Sequence, residues 1–204
     1  MKFTNLRQLF SLSACFIFFT TITQGQTTLI FQDVPETHQY ARSINALHKQ
    51  GVAEGHKKDD GRYFNPEQEI NRAEALKLLL VSSQSPIGRD IKSPFSDVTV
   101  YDWFYPFVFT ASEKGIVKGF ADGSFKPGNQ VILAEFIKML VITFNIPTPE
   151  LKDGEPWYKP YFTAAEALNV TLEDKHPTKN VTRGEAAAMI FKIQMIRYFS
   201  DWMN

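Results

Sequence analysis

Apolar side chains recur at helical spacing along most of the chain. One segment has apolar residues at positions i, i+3, i+4 and i+7, which line one face of a helix: Phe104, Phe107, Val108 and Ala111. A second segment follows it, with Ile137, Leu140 and Val141 on one face. The spacing predicts pairs of short amphipathic helices, and the chain is expected to be all-α.

This helix pair occurs three times. The sequence FQDV at 31–34 is matched by FSDV at 95–98, and a Phe-x-Pro loop follows each, at 64–66 and 125–127. A third, more degenerate copy places Trp157 where the second copy has Trp103. The predicted units are 29–82, 93–146 and 151–199, and Pro-bearing polar linkers separate them.

Turn residues mark the ends of the first helix in the units. Pro106 and Pro160 fall in the first helical turn, where a missing backbone N–H costs little. Gly51, Gly115 and Asn169 follow the last turn and tolerate the left-handed conformation of a C-terminal cap. These signals predict where the first helix of each unit begins and ends.

The second helix of each unit has its own start signal. Asn71 with Glu74, and Thr182 with Glu185, have the spacing of a capping box. The second copy has Ile132 at the cap position and lacks this device. Because two short helices cannot bury an apolar face alone, we expect the three units to close around one axis as a pseudo-threefold bundle.

Composition narrows the function classes. The chain has 22 Lys and Arg residues and 22 Asp and Glu residues, so its balance gives no support to nucleic-acid binding. The single Cys excludes an internal disulfide and a multi-Cys metal site. The four His residues form no metal-ligand pattern, and no cofactor motif is present. We therefore predict no metal and no cofactor.

The N-terminus has the layout of a secretory signal peptide. Lys2 and Arg7 precede a mostly apolar run at 9–22, and Gly25 lies near a plausible cleavage site, which predicts a signal peptide at 1–25. An uncleaved membrane anchor is one alternative. A lipoprotein is the other, since the residues before Cys15 resemble a lipobox.

The repeated unit resembles the S-layer homology (SLH) domain, through the two FxDV sequences, WFYPFV at 103–108, GIVKG at 115–119, GSFKP at 123–127 and the helix starts NRAE at 71–74 and TRGE at 182–185. The resemblance covers most of residues 31–199. It implies a three-pronged helical spindle without catalytic activity. Its grooves would bind a secondary cell-wall polymer or another peptidoglycan-linked glycan, often one that ends in a pyruvylated sugar. The implied location is the cell wall or cell envelope.

The resemblance also implies a glycan-binding set. It consists of the motif positions that this chain retains: Asp33, Arg72, Asp97, Trp103, Gly119, Trp157 and Arg183. An Arg guanidinium offers a planar fork to a sugar carboxylate, and a Trp ring offers a flat face to a sugar. Copy two has Leu133 at the Arg position and copy one has Gln39 at the Trp position, so we expect at most two working grooves.

Each of these residues also has a structural interpretation. The two Asp residues would cap turns, the Trp residues would be core, Gly119 would serve a turn, and the Arg residues would be solvated or salt-bridged. In that case the spindle is a structural part or docks another envelope protein. An enzyme is not expected, because the repeated acids Glu74 and Glu185 are already explained as helix caps.

Overall fold

The computed structural model describes residues 29–88, 93 and 95–203, so the predicted signal peptide lies outside the described residues. Within them the chain is mostly helical, as predicted. The helices are α1 (Ala41–Lys49), α2 (Arg72–Ser82), α3 (Tyr105–Glu113), α4 (Leu133–Thr143), α5 (Lys159–Ala167) and α6 (Arg183–Met203). No helix in this part of the chain combines the length and the apolar character needed to cross a membrane.

The predicted helix ends are confirmed. Pro106 and Pro160 lie in the first turns of α3 and α5. The residues just past α1, α3 and α5 adopt positive φ: 73° at Gly51, 67° at Gly115 and 52° at Asn169. These conformations let the chain reverse direction after each short helix.

The capping boxes are confirmed as well. At the start of α2, the Glu74 N–H donates to Asn71 Oδ1 (2.9 Å) and the Asn71 N–H donates to Glu74 Oε2 (3.1 Å). Thr182 and Glu185 exchange the same two bonds at the start of α6, at 3.2 and 2.9 Å. Ile132 makes no side-chain cap on α4.

One element differs from the all-α prediction. Two strands, β1 (His56–Lys58) and β2 (Gly61–Tyr63), form an antiparallel hairpin, with His56 paired to Tyr63. The side chains of β1 are all exposed and those of β2 are half-buried. With no alternation of apolar and polar residues, such short strands carry no periodic signal in the sequence.

The short helix of each predicted unit packs on the long helix of a different unit. Helix α3 packs on α2, α5 packs on α4, and α1 packs on α6. The apolar face of each short helix is thus covered by a helix of another predicted unit.

The backbone links the three long-helix starts in a cycle. Ile70 N–H donates to the Val181 carbonyl (2.9 Å), Val181 N–H donates to the Val131 carbonyl (2.9 Å), and Val131 N–H donates to the Ile70 carbonyl (3.1 Å). All three side chains are fully buried. The segments that precede α2, α4 and α6 therefore meet at one point in the core.

Gly119 marks a tight contact inside the second unit. A methyl group added there would lie 2.5 Å from Cε1 of Phe95 and 2.8 Å from the Ser124 carbonyl oxygen, both closer than real contacts allow. We expect Gly119→Ala to destabilise the chain by about 1–3 kcal/mol, as overpacking does. Gly128→Ala is the matched control, because nothing lies within 4 Å of its added methyl.

Thermal unfolding monitored by circular dichroism measures both Gly variants. Gly119→Ala should lower the melting temperature by several degrees, since about 1 kcal/mol shifts the midpoint by roughly 2–4 °C in a chain of this size. Gly128→Ala should melt close to the wild type. Equal melting of the two variants would contradict the steric explanation of Gly119.

Candidate functional site: two matched grooves

Two surface grooves are built from matched residues. Groove A is a cavity of about 190 Å³ lined by residues of all three predicted units: Val52, Ala53, Glu54, Gly55, His56, Glu74, Lys77, Leu78, Trp103 and Arg183. Groove B is a cavity of about 200 Å³ with lining residues at corresponding positions: Arg72, Ile116, Val117, Lys118, Glu135, Lys138, Met139 and Trp157.

Helix packing assembles each groove from four places. In groove B, α4 contributes Glu135, Lys138 and Met139, and the turn after α3 contributes Lys118. Arg72 comes from the start of α2, and Trp157 lies just before α5. Groove A repeats this plan around α2, with Trp103 from the start of α3. The packing of α3 on α2, and of α5 on α4, thus determines where each Trp lies.

The two Trp rings lie at the surface and are available to a ligand. Trp103 is 56% exposed and Trp157 is 48% exposed, so their interpretation as core residues is wrong. A lysine ammonium from the long helix lies near each ring, at 5.9 Å from Lys77 to Trp103 and 5.8 Å from Lys138 to Trp157. Each groove therefore combines a flat aromatic surface with a cation.

Arg72 lies at the inner side of groove B and is 5% exposed, so its interpretation as a solvated residue is wrong. Its Nε donates to the Phe125 carbonyl (3.0 Å), and its Nη1 lies 3.3 Å from Glu135 Oε1. The guanidinium also lies 4.7 Å from the centre of the Phe125 ring. Among the described residues, its Nη2 has no acceptor, which leaves one donor group for the groove.

Arg183 repeats these contacts in groove A. Its Nε donates to the Phe64 carbonyl (2.8 Å), and its Nη1 lies 3.3 Å from Glu74 Oε1. Burial lowers the pKa of the Arg183 guanidinium, while the charge of Glu74 opposes that shift. Burial likewise lowers the pKa of Arg72, and Glu135 opposes it. Glu74, which caps α2, therefore also pairs with Arg183 from another predicted unit. Glu135 pairs with Arg72 in the same way, although it caps no helix.

Groove B contains a group of three cations. Burial lowers the pKa of the Lys138 ammonium, and the nearby charges of Lys118 and Arg72 lower it further, against the opposing effect of Glu135. Cations that repel each other in this way are stabilised when an anion binds between them.

Asp33 and Asp97, which belong to the predicted glycan-binding set, bind backbone N–H groups and do not line the grooves. Both oxygens of Asp97 accept backbone N–H groups, from Phe125 (2.7 Å) and Lys126 (2.8 Å), and Asp33 makes the equivalent bonds in the first unit at 2.8 and 2.6 Å. Neither Asp lines groove A or groove B. Their carboxylates hold the Phe-x-Pro loop that presents a Phe carbonyl to each motif Arg.

Gly119 is adjacent to Lys118 and does not line groove B itself, whereas its counterpart Gly55 lines groove A. The structure thus brings only part of the predicted set together. Trp157 and Arg72 line groove B, Trp103 and Arg183 line groove A, and Gly119 and the two Asp residues line neither groove.

Lys77 and Lys138 are absent from the predicted set, although they line the grooves. The only sequence signal for them is their matched position after Glu74 and Glu135, since copy three has Ala188 there. A lysine on a helix usually indicates a solvated face. That Lys77 and Lys138 lie in grooves is visible only in the folded structure, where Trp103 and Trp157 lie beside them.

The corresponding surface of the predicted third unit lacks this pattern of an exposed Trp, a Lys and a buried Arg. Groove C has three acidic residues and one Lys, and it has no Trp and no Arg. Its lining residues are Gln39, Tyr40, Thr171, Leu172, Glu173, Asp174, Glu185, Ala188 and Lys192. At the Arg position, Leu133 is fully buried, and Glu185 pairs instead with Lys179 at 2.6 Å. The described residues contain no group of three or more His, Cys, Asp or Glu suited to a metal ion.

The S-layer homology domain model matches residues 30–76 and 94–137. The matched segments contain α1 and α3 and the first residues of α2 and α4. The predicted third copy, 151–199, lies outside the matched segments.

Several S-layer and cell wall proteins are similar to this chain. The S-layer protein sap of Bacillus anthracis is 30% identical over 174 residues, covering 79% of this chain and 21% of that protein. The middle cell wall protein of Brevibacillus brevis is 32% identical over 152 residues, covering 73% of this chain and 14% of that protein. An uncharacterised cell wall amidase of Bacillus anthracis is 28% identical, covering 81% of this chain and 32% of that protein. The chain thus spans about a fifth of the first S-layer relative.

Proposed function

We propose that this chain, which carries the S-layer homology domain in two segments, is an exported cell-envelope protein that attaches non-covalently to a secondary wall polymer or another peptidoglycan-linked glycan. The observation that carries the proposal is the matched chemistry of grooves A and B. Each presents an exposed Trp ring, a Lys beside it and a buried Arg behind it.

This combination suits an acidic glycan. A Trp ring packs against the apolar face of a sugar, as aromatic rings do at other amphipathic surfaces. In a groove whose Lys ammonium is not already paired, that Lys and the remaining Arg donor group then bind a carboxylate or phosphate that the polymer carries. The Lys and Arg residues are held by packing before a ligand arrives, which lowers the entropy cost of binding.

The proposed location and class draw on the named relatives. Those reported above include an S-layer protein and a cell wall protein, which supports a place in the cell envelope. The predicted signal peptide at 1–25 supports export. No enzymatic activity is proposed, since the amidase reported above is matched over only 32% of its length.

We also infer that residues 151–199 are a third copy and that the units surround a pseudo-threefold axis. Support comes from the cycle of backbone bonds among Ile70, Val131 and Val181, and from the cyclic packing of short helices on long ones. In this arrangement the third unit contributes Trp157 to groove B and Arg183 to groove A, and its own groove has lost the ligand-binding residues.

Titration with polymer released from the walls of the encoding organism tests the proposal. The chain without its predicted signal (residues 26–204) should bind the released polymer, and calorimetry would measure the dissociation constant. Binding should weaken as salt rises, because exposed charge pairs are screened. A folded protein that gives no heat of binding with this polymer would contradict the proposed function.

A second candidate function is docking of another envelope protein. The observation that favours it is the end of α6, where Tyr198, Phe199 and Trp202 are more than half exposed. In that case the chain would bind an envelope protein while the released polymer gives no heat. The matched grooves favour the glycan.

A further inference from the structure

Grooves A and B differ in charge at one matched rim position. Groove A has Glu54 in the turn after α1, and groove B has Lys118 in the turn after α3. Both side chains are exposed, and each follows a pair of buried apolar residues. The backbone setting of the two positions is therefore the same, and only the charge of the side chain differs.

In groove A the rim acid faces the groove cation. Glu54 Oε2 lies 3.8 Å from Lys77 Nζ, and the second acid, Glu74, is bonded to Arg183. Two cations are thereby matched by two carboxylates. An incoming anion would have to compete with Glu54 for the lysine.

In groove B the rim residue adds to the cations. Arg72, Lys118 and Lys138 line this groove with a single carboxylate, Glu135, which lies 3.3 Å from Arg72 Nη1. Among the described residues, Lys118 has no salt-bridge partner. The groove therefore keeps an excess of positive charge, and low-dielectric walls strengthen its effect on an anion.

Resting on the proposed function, we infer that the two grooves take different sugars: groove B binds the acidic residue of the glycan, and groove A binds an uncharged one. The Glu54 and Lys118 pair sets this difference. The ligand of groove B is a saccharide with a carboxylate or a phosphate substituent.

The three Trp residues provide a direct test. Trp103 reports on groove A, Trp157 reports on groove B, and Trp202 lies outside both and serves as an internal reference. Residues 26–204 labelled with ¹⁵N would be titrated with glucuronate, glucose 6-phosphate and glucose. The indole N–H resonances would be assigned by Trp→Phe variants.

We expect at least one acidic sugar to shift the Trp157 indole resonance well beyond that of Trp103, with Trp202 unmoved. The comparison of glucuronate with glucose 6-phosphate separates a carboxylate from a phosphate ligand. Glucose should not shift the Trp157 indole resonance more than that of Trp103. Equal shifts of Trp103 and Trp157 with both acids, or no shift of Trp157 with either, would overturn the inference.

Two charge reversals at exposed positions sharpen the test. Lys118→Glu should weaken the Trp157 titration about tenfold, since it removes one favourable charge pair and adds a repulsion. Glu54→Lys should make Trp103 respond to the acidic sugar as Trp157 does. A Trp157 response that is unchanged in Lys118→Glu would contradict the role of this pair.

The outcome separates this inference from the proposed function. If the released wall polymer fails to bind while glucuronate or glucose 6-phosphate shifts Trp157 selectively, the wall polymer is not the ligand and the charge difference stands. If the polymer binds while both Trp residues respond equally to the acids, the proposed function stands and the groove assignment is wrong.

Discussion

Arg72→Ala should destabilise the chain by about 3 kcal/mol, the low end for removing one partner of a buried ion pair. The low end applies because Glu135 keeps 32% of its side chain exposed and would be partly solvated. The variant also leaves the Phe125 carbonyl without its donor and removes the guanidinium that covers the Phe125 ring.

The control for this prediction comes from the chain itself. At the matched position α4 has Leu133, which is fully buried without an Arg partner. Arg72→Leu should therefore lower the free energy of unfolding by about half as much as Arg72→Ala, because the leucine fills the space that alanine leaves empty. Urea unfolding monitored by circular dichroism measures both, and an Arg72→Ala variant as stable as the wild type would contradict the packing role of Arg72.

This expected loss affects how binding experiments on the Arg residues are read. A weaker wall interaction of Arg72→Ala or Arg183→Ala would report unfolding as well as lost ligand contacts. The exposed groove residues avoid this problem, since their removal leaves the core intact. Trp and Lys variants are therefore the better probes of ligand binding.

Trp157→Ala should weaken binding of the released polymer by about 10–30-fold, since an anchoring Trp in a binding site contributes about 1.5–2 kcal/mol. Trp157 is half exposed, and the centre of its ring lies 5.7 Å from that of Tyr158 in an edge-to-face arrangement. The loss of the Trp157 side chain should therefore change the unfolding free energy by less than about 1 kcal/mol. Calorimetric titration and urea unfolding of the same preparation test both parts.

Two further Trp variants make this result interpretable. Trp202→Ala is the matched control, because Trp202 is 79% exposed and lies outside the grooves. Trp103→Ala measures the contribution of groove A. A Trp157→Ala variant that binds the polymer as tightly as Trp202→Ala does would remove groove B from the account.

The helices were predictable because their signals are local. The apolar spacing of Val108 and Ala111, the first-turn prolines and the capping boxes each depend on a few neighbouring residues. The structure has the helices and caps where these signals placed them. The hairpin of β1 and β2 was not predictable in this way, because its short strands have no buried face to impose a period.

The candidate site was predictable only in part. Trp103 and Trp157 could be picked out by their matched positions and lie in the grooves. The burial of Arg72 depends on Phe125 and Glu135, which belong to another unit, and no local pattern reports such a contact. Lys77 and Lys138 were missed for the same reason.

Co-sedimentation of residues 26–204 with purified walls, before and after hydrofluoric acid strips the secondary polymer, tests the central claim most directly. We expect the protein to sediment with native walls and to stay in solution with stripped walls. Sedimentation that is equal with both would assign the contact to peptidoglycan itself. Failure of the folded protein to sediment with native walls would contradict attachment to the wall.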